Sequence, residues 1–276
     1  MVDSNLYVMT EDSSKLVIVV YVDDIIFGGH CNDLCKQFAE KMKYEFEMSM
    51  LGELSYFLGL QVSQRQKGIF ISQMKYTKEM LKKFQMEDNK PVGTPMVVGC
   101  KLSTDDESPS VDQTRYRSMI GSLLYLTASR PDILQAVCLV ARFQASPKET
   151  HLLAIKRIFK YLRGTVDYRL WYSKTDKFTL TTFSDADWEG SIDDRKSTSG
   201  GTFYLGQSLV AWHSNKQESV SLLTAEAEYI AATACCTQLI WMKRQVADYG
   251  IISAELIPIM CHNMSAINIS KNPVQH

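Results

Sequence analysis

Hydrophobic residues follow two rhythms along this chain, and the change from one to the other marks out its elements. Apolar, mostly β-branched residues run through Leu16-Val17-Ile18-Val19-Val20, break at Asp23-Asp24 and resume at Ile25-Ile26-Phe27. This pattern predicts two short strands and a turn over 16–27. Leu34, Phe38, Met42 and Phe46 recur at helical spacing and predict a helix over 34–47. Strands over 54–62 and 68–72 flank a turn at 65–67, and a short basic helix comes next over 76–84. Pro, Gly, Ser and acidic residues crowd 86–113, which reads as a linker. Helices are predicted over 115–126 and 131–143.

The next helix carries the fullest set of signals. Ser146-Pro147-Lys148-Glu149 offers an N-cap Ser, Pro at the first helical position and Glu three residues after the cap. Gly164 is placed to stop the helix after Arg163. Leu152, Ile155, Phe159 and Leu162 form its apolar stripe, while Lys156, Lys160 and Arg163 line another face. From Lys177 the rhythm becomes that of strands, over 178–183, 202–205 and 209–212, with Gly206 at a turn. A helix over 224–249, a strand over 257–261 and a helix start over 263–270 complete the pattern. Three antiparallel strands, a helix and a further strand make an α/β unit, and the whole chain is of α+β and α/β class.

Length and composition set bounds. At 276 residues the chain exceeds one typical domain. With 45% apolar and 22% charged residues it is globular rather than disordered. Apolar runs stop short of the ~20 residues a membrane span needs. Asp3, Glu11 and Asp12 near the N-terminus leave no basic apolar leader, so no secretory signal is expected. None of the seven Cys forms a Cys-x-x-Cys pair, and an intracellular, reduced chain is expected. His30-Cys31 with Cys35 has no second ligand pair nearby, so packed or surface cysteines are the simpler reading.

Net charge is −1 and gives no global nucleic-acid signal, but its distribution is uneven. Between 60 and 101 there are eight Lys/Arg against three Asp/Glu, and between 142 and 174 eight against two. Acid gathers at Asp105-Asp106-Glu107 and from 185 to 194. Basic tracts beside acidic clusters suit a protein that grips phosphate and holds metal, and they also suit ordinary solvated charge.

The candidate chemistry starts at Asp23-Asp24. Burying two ionised carboxylates uncompensated would cost more than a small hairpin supplies. The pair therefore sits at an exposed tip, as a solvated turn, or faces a cation. Paired Asp presenting divalent metal is what phosphoryl transfer uses, because the metal neutralises charge on attacking and leaving oxygens.

Tyr21-Val22-Asp23-Asp24 resembles the palm signature of reverse transcriptases. The segment from Leu51-Gly52-Glu53-Leu54 through Tyr56-Phe57-Leu58-Gly59-Leu60 resembles the stretch downstream of that signature in the Pol polyproteins of copia-type long-terminal-repeat retrotransposons. So do Tyr116-Arg117-Ser118-Met119-Ile120-Gly121-Ser122-Leu123 and Ser129-Arg130-Pro131-Asp132. Ser184-Asp185-Ala186-Asp187-Trp188, Arg195-Lys196-Ser197-Thr198-Ser199-Gly200 and Thr224-Ala225-Glu226-Ala227-Glu228-Tyr229 are similar to the ribonuclease H part of the same polyprotein. These motifs keep the family's order over nearly the whole chain.

The resemblance implies three parts. Residues 1–85 would be the rear of a palm and the start of a thumb. Residues 86–175 would be a linker and helical connection region. Residues 176–276 would be an incomplete ribonuclease H-like domain. It implies Mg²⁺ or Mn²⁺ as cofactor, an RNA–DNA hybrid or primer–template as partner, and no membrane. Asp23 and Asp24 would serve the polymerase site, and Asp185 and Glu226 the nuclease site. Lys156, Lys160, Arg163, Arg195 and Lys196 would contact nucleic acid, with Asp193 and Asp194 near substrate. Asp187 reads either as a support behind the metal ligands or as solvated, Glu228 as a surface helix residue, and Trp188, Trp212 and Trp241 as core or rim aromatics.

Where the family has Cys-Asp-Asn, this chain has Cys261-His262-Asn263. A neutral imidazole suits zinc better than magnesium and removes one charge from the site. A further palm Asp and a final nuclease Asp are expected outside 1–276. The sequence thus predicts a retrotransposon polymerase–ribonuclease H fragment that is inactive by itself. The alternatives are a non-catalytic nucleic-acid-binding remnant and a decayed open reading frame.

Overall fold

The computed structural model describes residues 4–11, 14–29, 31–174, 178–251 and 256–272. The chain forms two compact units, 1–55 with 237–256, and 56–236 with 257–276.

The first unit is built on β1 (Leu6–Glu11), β2 (Ser14–Tyr21) and β3 (Asp24–Gly29), an antiparallel sheet in that order. Tyr21 pairs with Asp24, so the predicted hairpin turns over 22–23. The sequence pattern leaves this hairpin without sheet neighbours; the structure supplies β1, paired with β2 from Leu6↔Val19 to Glu11↔Ser14. A helix, α1 (Asn32–Glu45), comes next in place of the expected 34–47. Leu34 on α1 joins Leu16 and Ile18 in a small core, with Phe27, Cys31, Cys35 and Phe38 packed against it. The Phe27 and Phe38 rings meet edge to face at 4.9 Å. Cys31 and Cys35 are thus packing residues, and His30 lies outside the described residues.

The second unit runs through β4 (Tyr56–Phe57), β5 (Leu60–Arg65), β6 (Gly68–Ser72) and α2 (Met74–Lys83) to α3 (Gln113–Leu126). A 3₁₀ turn, Pro131–Ile133, leads into α4 (Leu134–Ala141) and then α5 (Glu149–Gly164), β7 (Leu170–Ser173) and β8 (Leu180–Asp187). Beyond these lie β9 (Thr198–Leu205), β10 (Ser208–Lys216), α6 (Thr224–Asp248), β11 (Ile259–Met260) and α7 (Met264–Lys271). Residues of α6 from 237 onward belong to the first unit.

Two four-stranded sheets result. One is antiparallel, β4-β5-β6-β7, and β7 is joined to β6 in register from Gly68↔Ser173 to Ile71↔Leu170. The other has the order β10-β9-β8-β11, antiparallel except that β11 runs parallel to β8. β11 is shorter than the predicted 257–261: Pro258, which offers no N–H to a ladder, precedes its start, and it ends before Cys261. Helices α2 to α5 share one core that includes Met80, Leu81, Tyr116, Ile120, Leu123, Val137, Ile155 and Phe159. That core and the β6–β7 pair both span position 85.

Two local expectations need correction. Residues 86–112 hold no helix or strand, but they form a docked strap rather than a free linker. Met86 is buried, Val92, Met96, Leu102 and Val111 pack on the helical core, and Asp106 accepts the Thr150 hydroxyl at 2.7 Å. The capped helix starts at Glu149, two residues later than Pro147. The Pro147 carbonyl accepts Val111 N–H and Glu149 N–H goes to Pro109, so 146–148 pairs with the strap and does not wind. The cap is made by the His151 ring, whose Nδ1 accepts Lys148 N–H at 3.1 Å.

Two of the sequence motifs are explained by packing. Tyr125 Oη donates to the Leu58 carbonyl at 2.7 Å. Gly59 beside it has φ +79°, and any Cβ there would overlap the Tyr125 hydroxyl. In Ser129-Arg130-Pro131-Asp132, the Ser129 hydroxyl donates to buried Gln73 at 2.7 Å, and the buried Arg130 guanidinium grips Asp132 at 2.9 and 2.7 Å.

Candidate functional site

Asp23 and Asp24 are both exposed at the tip of the β2–β3 hairpin. Val22 beside them takes φ 53°, a conformation that a β-branched residue rarely adopts, and it is 82% exposed. Its side chain is thus mostly in solvent and adds little packing at the tight tip. Both carboxylates are open to a dication from solvent.

The second site is assembled in the other unit. Alternation along β8 buries Leu180, Thr182 and Ser184 and turns Phe183 and Asp185 to the opposite face. α6 brings Glu228 to Asp185. The 261–263 turn, capped by Asn263 Oδ1 accepting Ala266 N–H at 3.0 Å, brings His262. His262 Nδ1 lies 3.7 Å from Asp185 Oδ1, and its Nε2 lies 3.5 Å from Glu228 Oε1. One ligand atom from each residue falls within 4.8 Å of the others, the one such group of His, Cys, Asp or Glu among the described residues.

Glu228, read from sequence as a surface residue, is buried at 4% exposure. Its Oε2 is buried and meets no hydrogen-bond donor among the described residues. Burial, and after it the Asp185 charge, push the Glu228 pKa up, while His262 and the Ala186 N–H pull it back. Glu226, the residue predicted as the ligand, is turned elsewhere: its Oε2 accepts Leu222 N–H at 2.7 Å. The signal that separates the two acids is the apolar stripe of α6. Ala227, Ala231, Cys235, Leu239 and Met242 are buried along it. At about 100° per residue, Glu228 falls within that stripe and Glu226 roughly opposite.

The other predicted residues are dispersed. Asp193 accepts the Ser103 hydroxyl at 2.6 Å and Thr104 N–H, and Asp194 pairs with Lys216 at 2.7 Å. Both acids hold the fold together at this turn. Arg195, at φ 54°, stands exposed with Nη1 4.0 Å from Glu189, and Lys196 is half-buried beside it. On α5, Lys156 and Lys160 have no hydrogen bond or ion pair among the described residues, but Arg163 Nε donates to the Glu87 carbonyl at 2.5 Å. Trp188 and Trp212 donate to the carbonyls of Ser221 and Thr127; Trp188 is 40% exposed and Trp212 half-buried. All seven cysteines are free thiols, and no described helix is long and apolar enough to cross a membrane.

The mixed α and β architecture, with the exposed Asp-Asp hairpin near its start, is consistent with a reverse transcriptase domain. The family model for reverse transcriptase (RNA-dependent DNA polymerase) matches residues 1–98. The chain is 35% identical over 274 residues to the retrovirus-related Pol polyprotein from transposon RE2 of Arabidopsis thaliana, covering 99% of this chain and 19% of that protein. It is equally 35% identical over 274 residues to the Pol polyprotein from transposon TNT 1-94 of Nicotiana tabacum, covering 96% and 20%. A shorter relative, an uncharacterized mitochondrial protein of Arabidopsis thaliana, is 34% identical over 227 residues, covering 82% of this chain and 94% of that one. The chain belongs to the Pol polyprotein family of copia-type transposons. It spans about a fifth of the length of the Pol polyproteins it matches. No solved structure matches it.

Proposed function

We propose that the chain is the palm-to-nuclease segment of a retrotransposon RNA-directed DNA polymerase, that it binds RNA–DNA hybrid, and that its ribonuclease H-like site does not cleave. In this reading, Asp23-Asp24 is the polymerase hairpin, α2 to α5 belong to thumb and connection, and 176–276 is the ribonuclease H-like domain. The order β10-β9-β8-β11, three antiparallel strands and a parallel one reached through α6, supports that last assignment. Asp185 and Glu228 then take the first two ligand positions and His262 the third.

The observation that carries the non-catalytic part is the donor set Asp185, Glu228, His262. A pair of Mg²⁺ ions requires several hard anionic oxygens. Two carboxylates and an imidazole do not fit that pair, and no nuclease step is assigned to it. Lys156, Lys160, Arg195 and Lys196 are the phosphate contacts, whereas Arg163 fastens the 86–112 strap through Glu87.

The test has two arms. Hybrid binding by the 276-residue chain should weaken steeply with salt, and a Lys156→Ala, Lys160→Ala double variant should reduce the salt slope by about 2. Hybrid incubated with Mg²⁺ or Mn²⁺ should remain intact. A flat salt response removes the binding claim, and cleavage that depends on Asp185 and Glu228 removes the claim of inactivity.

A further inference from the structure

The geometry points to a different ion at the same place: we propose that Asp185, Glu228 and His262 bind a single zinc-class dication that pins 259–271 to the β8 edge. The proposal rests on the reading of these three side chains as one metal centre, and it replaces a pair of magnesium ions with one softer cation.

Three observations carry it. The donors come from β8, α6 and the 261–263 turn, and they already lie within 4.8 Å of one another. A four-coordinate ion with bonds of about 2.0–2.2 Å needs donors about 3.4 Å apart. The 3.5 Å from His262 Nε2 to Glu228 Oε1 meets that already. The Asp185 Oδ1 lies nearest the other ring nitrogen, Nδ1, at 3.7 Å, and the Asp185 and His262 side chains, 77% and 71% exposed, have room to turn so that Asp185 meets the ion on the Nε2 side.

The second observation is Glu228 itself. Its side chain is only 5% exposed, and its Oε2 faces no donor among the described residues. A buried carboxylate oxygen in that state is destabilising until a cation or donor reaches it. Two carboxylates and a neutral imidazole supply two negative charges, which one dication balances and two would not. A nitrogen donor with two oxygens favours zinc, cobalt or nickel over magnesium. A water would complete the coordination.

The third observation is what the ion would hold. β11 contributes two residues to the sheet, and α7 buries only Ala266 among its eight. This segment has little packing of its own, so a bond from His262 to an ion shared with β8 and α6 would fix it. Binding energy at such a site becomes folding energy.

The experiment uses the 276-residue chain, stripped with chelator and titrated with Co²⁺ as an optical probe, then with Zn²⁺ in competition. The expected result is one equivalent of Co²⁺ with no thiolate-to-cobalt charge-transfer band, displaced by Zn²⁺ and untouched by millimolar Mg²⁺. Zn²⁺ should raise the melting temperature by several degrees. His262→Ala, at an exposed position, should lose at least tenfold in affinity along with the thermal shift. His262→Asp should keep the fold and move preference toward Mn²⁺ and Mg²⁺. Failure to bind one equivalent, a thiolate band, or undiminished binding by His262→Ala would overturn the proposal. Hybrid binding on the same sample reports on the proposed function: zinc without hybrid sinks only that reading, and hybrid without zinc sinks only this one.

Discussion

Glu226 Oε2 accepts the backbone N–H of Leu222 at 2.7 Å, and this bond places the carboxylate at the start of α6 instead of in the cluster with Asp185. It sits at the third helical residue and reaches back to the N–H two residues before the helix, one position further out than the N-cap donor that a capping-box acid takes, and so ties the entering chain to the first turn. Glu226→Ala should therefore cost about 1 kcal/mol of stability. It should leave Co²⁺ affinity within about twofold of the parent. Equilibrium unfolding and metal titration on the same variant check both halves, and a large loss of metal affinity would return Glu226 to the site.

Arg130 and Asp132 form the most enclosed ion pair among the described residues of the second unit. The guanidinium side chain is 3% exposed and also donates to the Thr165 carbonyl at 2.9 Å, while the carboxylate accepts the Tyr161 hydroxyl at 2.9 Å. Removing one partner of such a pair leaves an uncompensated buried charge. Asp132 is 29% exposed, so water partly replaces it, and Asp132→Ala should cost about 2–3 kcal/mol. Burial first, and the bond to Asp132 next, push the Tyr161 hydroxyl up to about 12. The same variant should bring that ionisation down in an absorbance titration. A neutral substitution would mean the pair is no more than a surface contact.

Local periodicity made most elements legible. Leu152, Ile155, Phe159 and Leu162 announced the inward face of α5, and alternation announced β8. The long-range pairings escaped. Leu170–Ser173 carries no local sign that its partner is Gly68–Ser72, about a hundred residues back, and β1 joined the hairpin in the same unannounced way. The site shows the same division. Asp185 and His262 were legible as motif positions, but choosing between Glu226 and Glu228 required the rotation of α6, which packing sets.

Val22 holds φ 53° at the hairpin tip although its side chain is 82% exposed. A β-branched residue in this region stores about 1–3 kcal/mol of backbone strain. Glycine relieves that strain and gives back about 0.5–1 kcal/mol through the unfolded chain. Val22→Gly should therefore stabilise the hairpin by about 1 kcal/mol. Amide hydrogen exchange along β2 and β3 is the local readout. Slower exchange in the variant is the expected outcome, and faster exchange would show that the tip is unstrained.

His151 ties the 86–112 strap to α5 as one tautomer. Nδ1 accepts Lys148 N–H at 3.1 Å, so the proton is on Nε2, which donates to the Ser103 carbonyl at 2.9 Å. The ring is fully buried and stacks on Phe143 at 3.9 Å. Burial lowers its pKa, outweighing the Ser103 bond that favours the charged form. The unfolded chain, with an ordinary value of about 6.5, then binds a proton before the folded chain does. Stability from this residue is complete above about pH 6.5 and falls as pH drops from there through the lower folded value. Protonation would place a second hydrogen on Nδ1, where the Lys148 N–H already points. Unfolding free energy measured from pH 7.5 to 5 should decline with that sign. In His151→Asn the absolute stability should be lower and this part of the slope absent. A slope of the same size in the variant would assign the titration to another group.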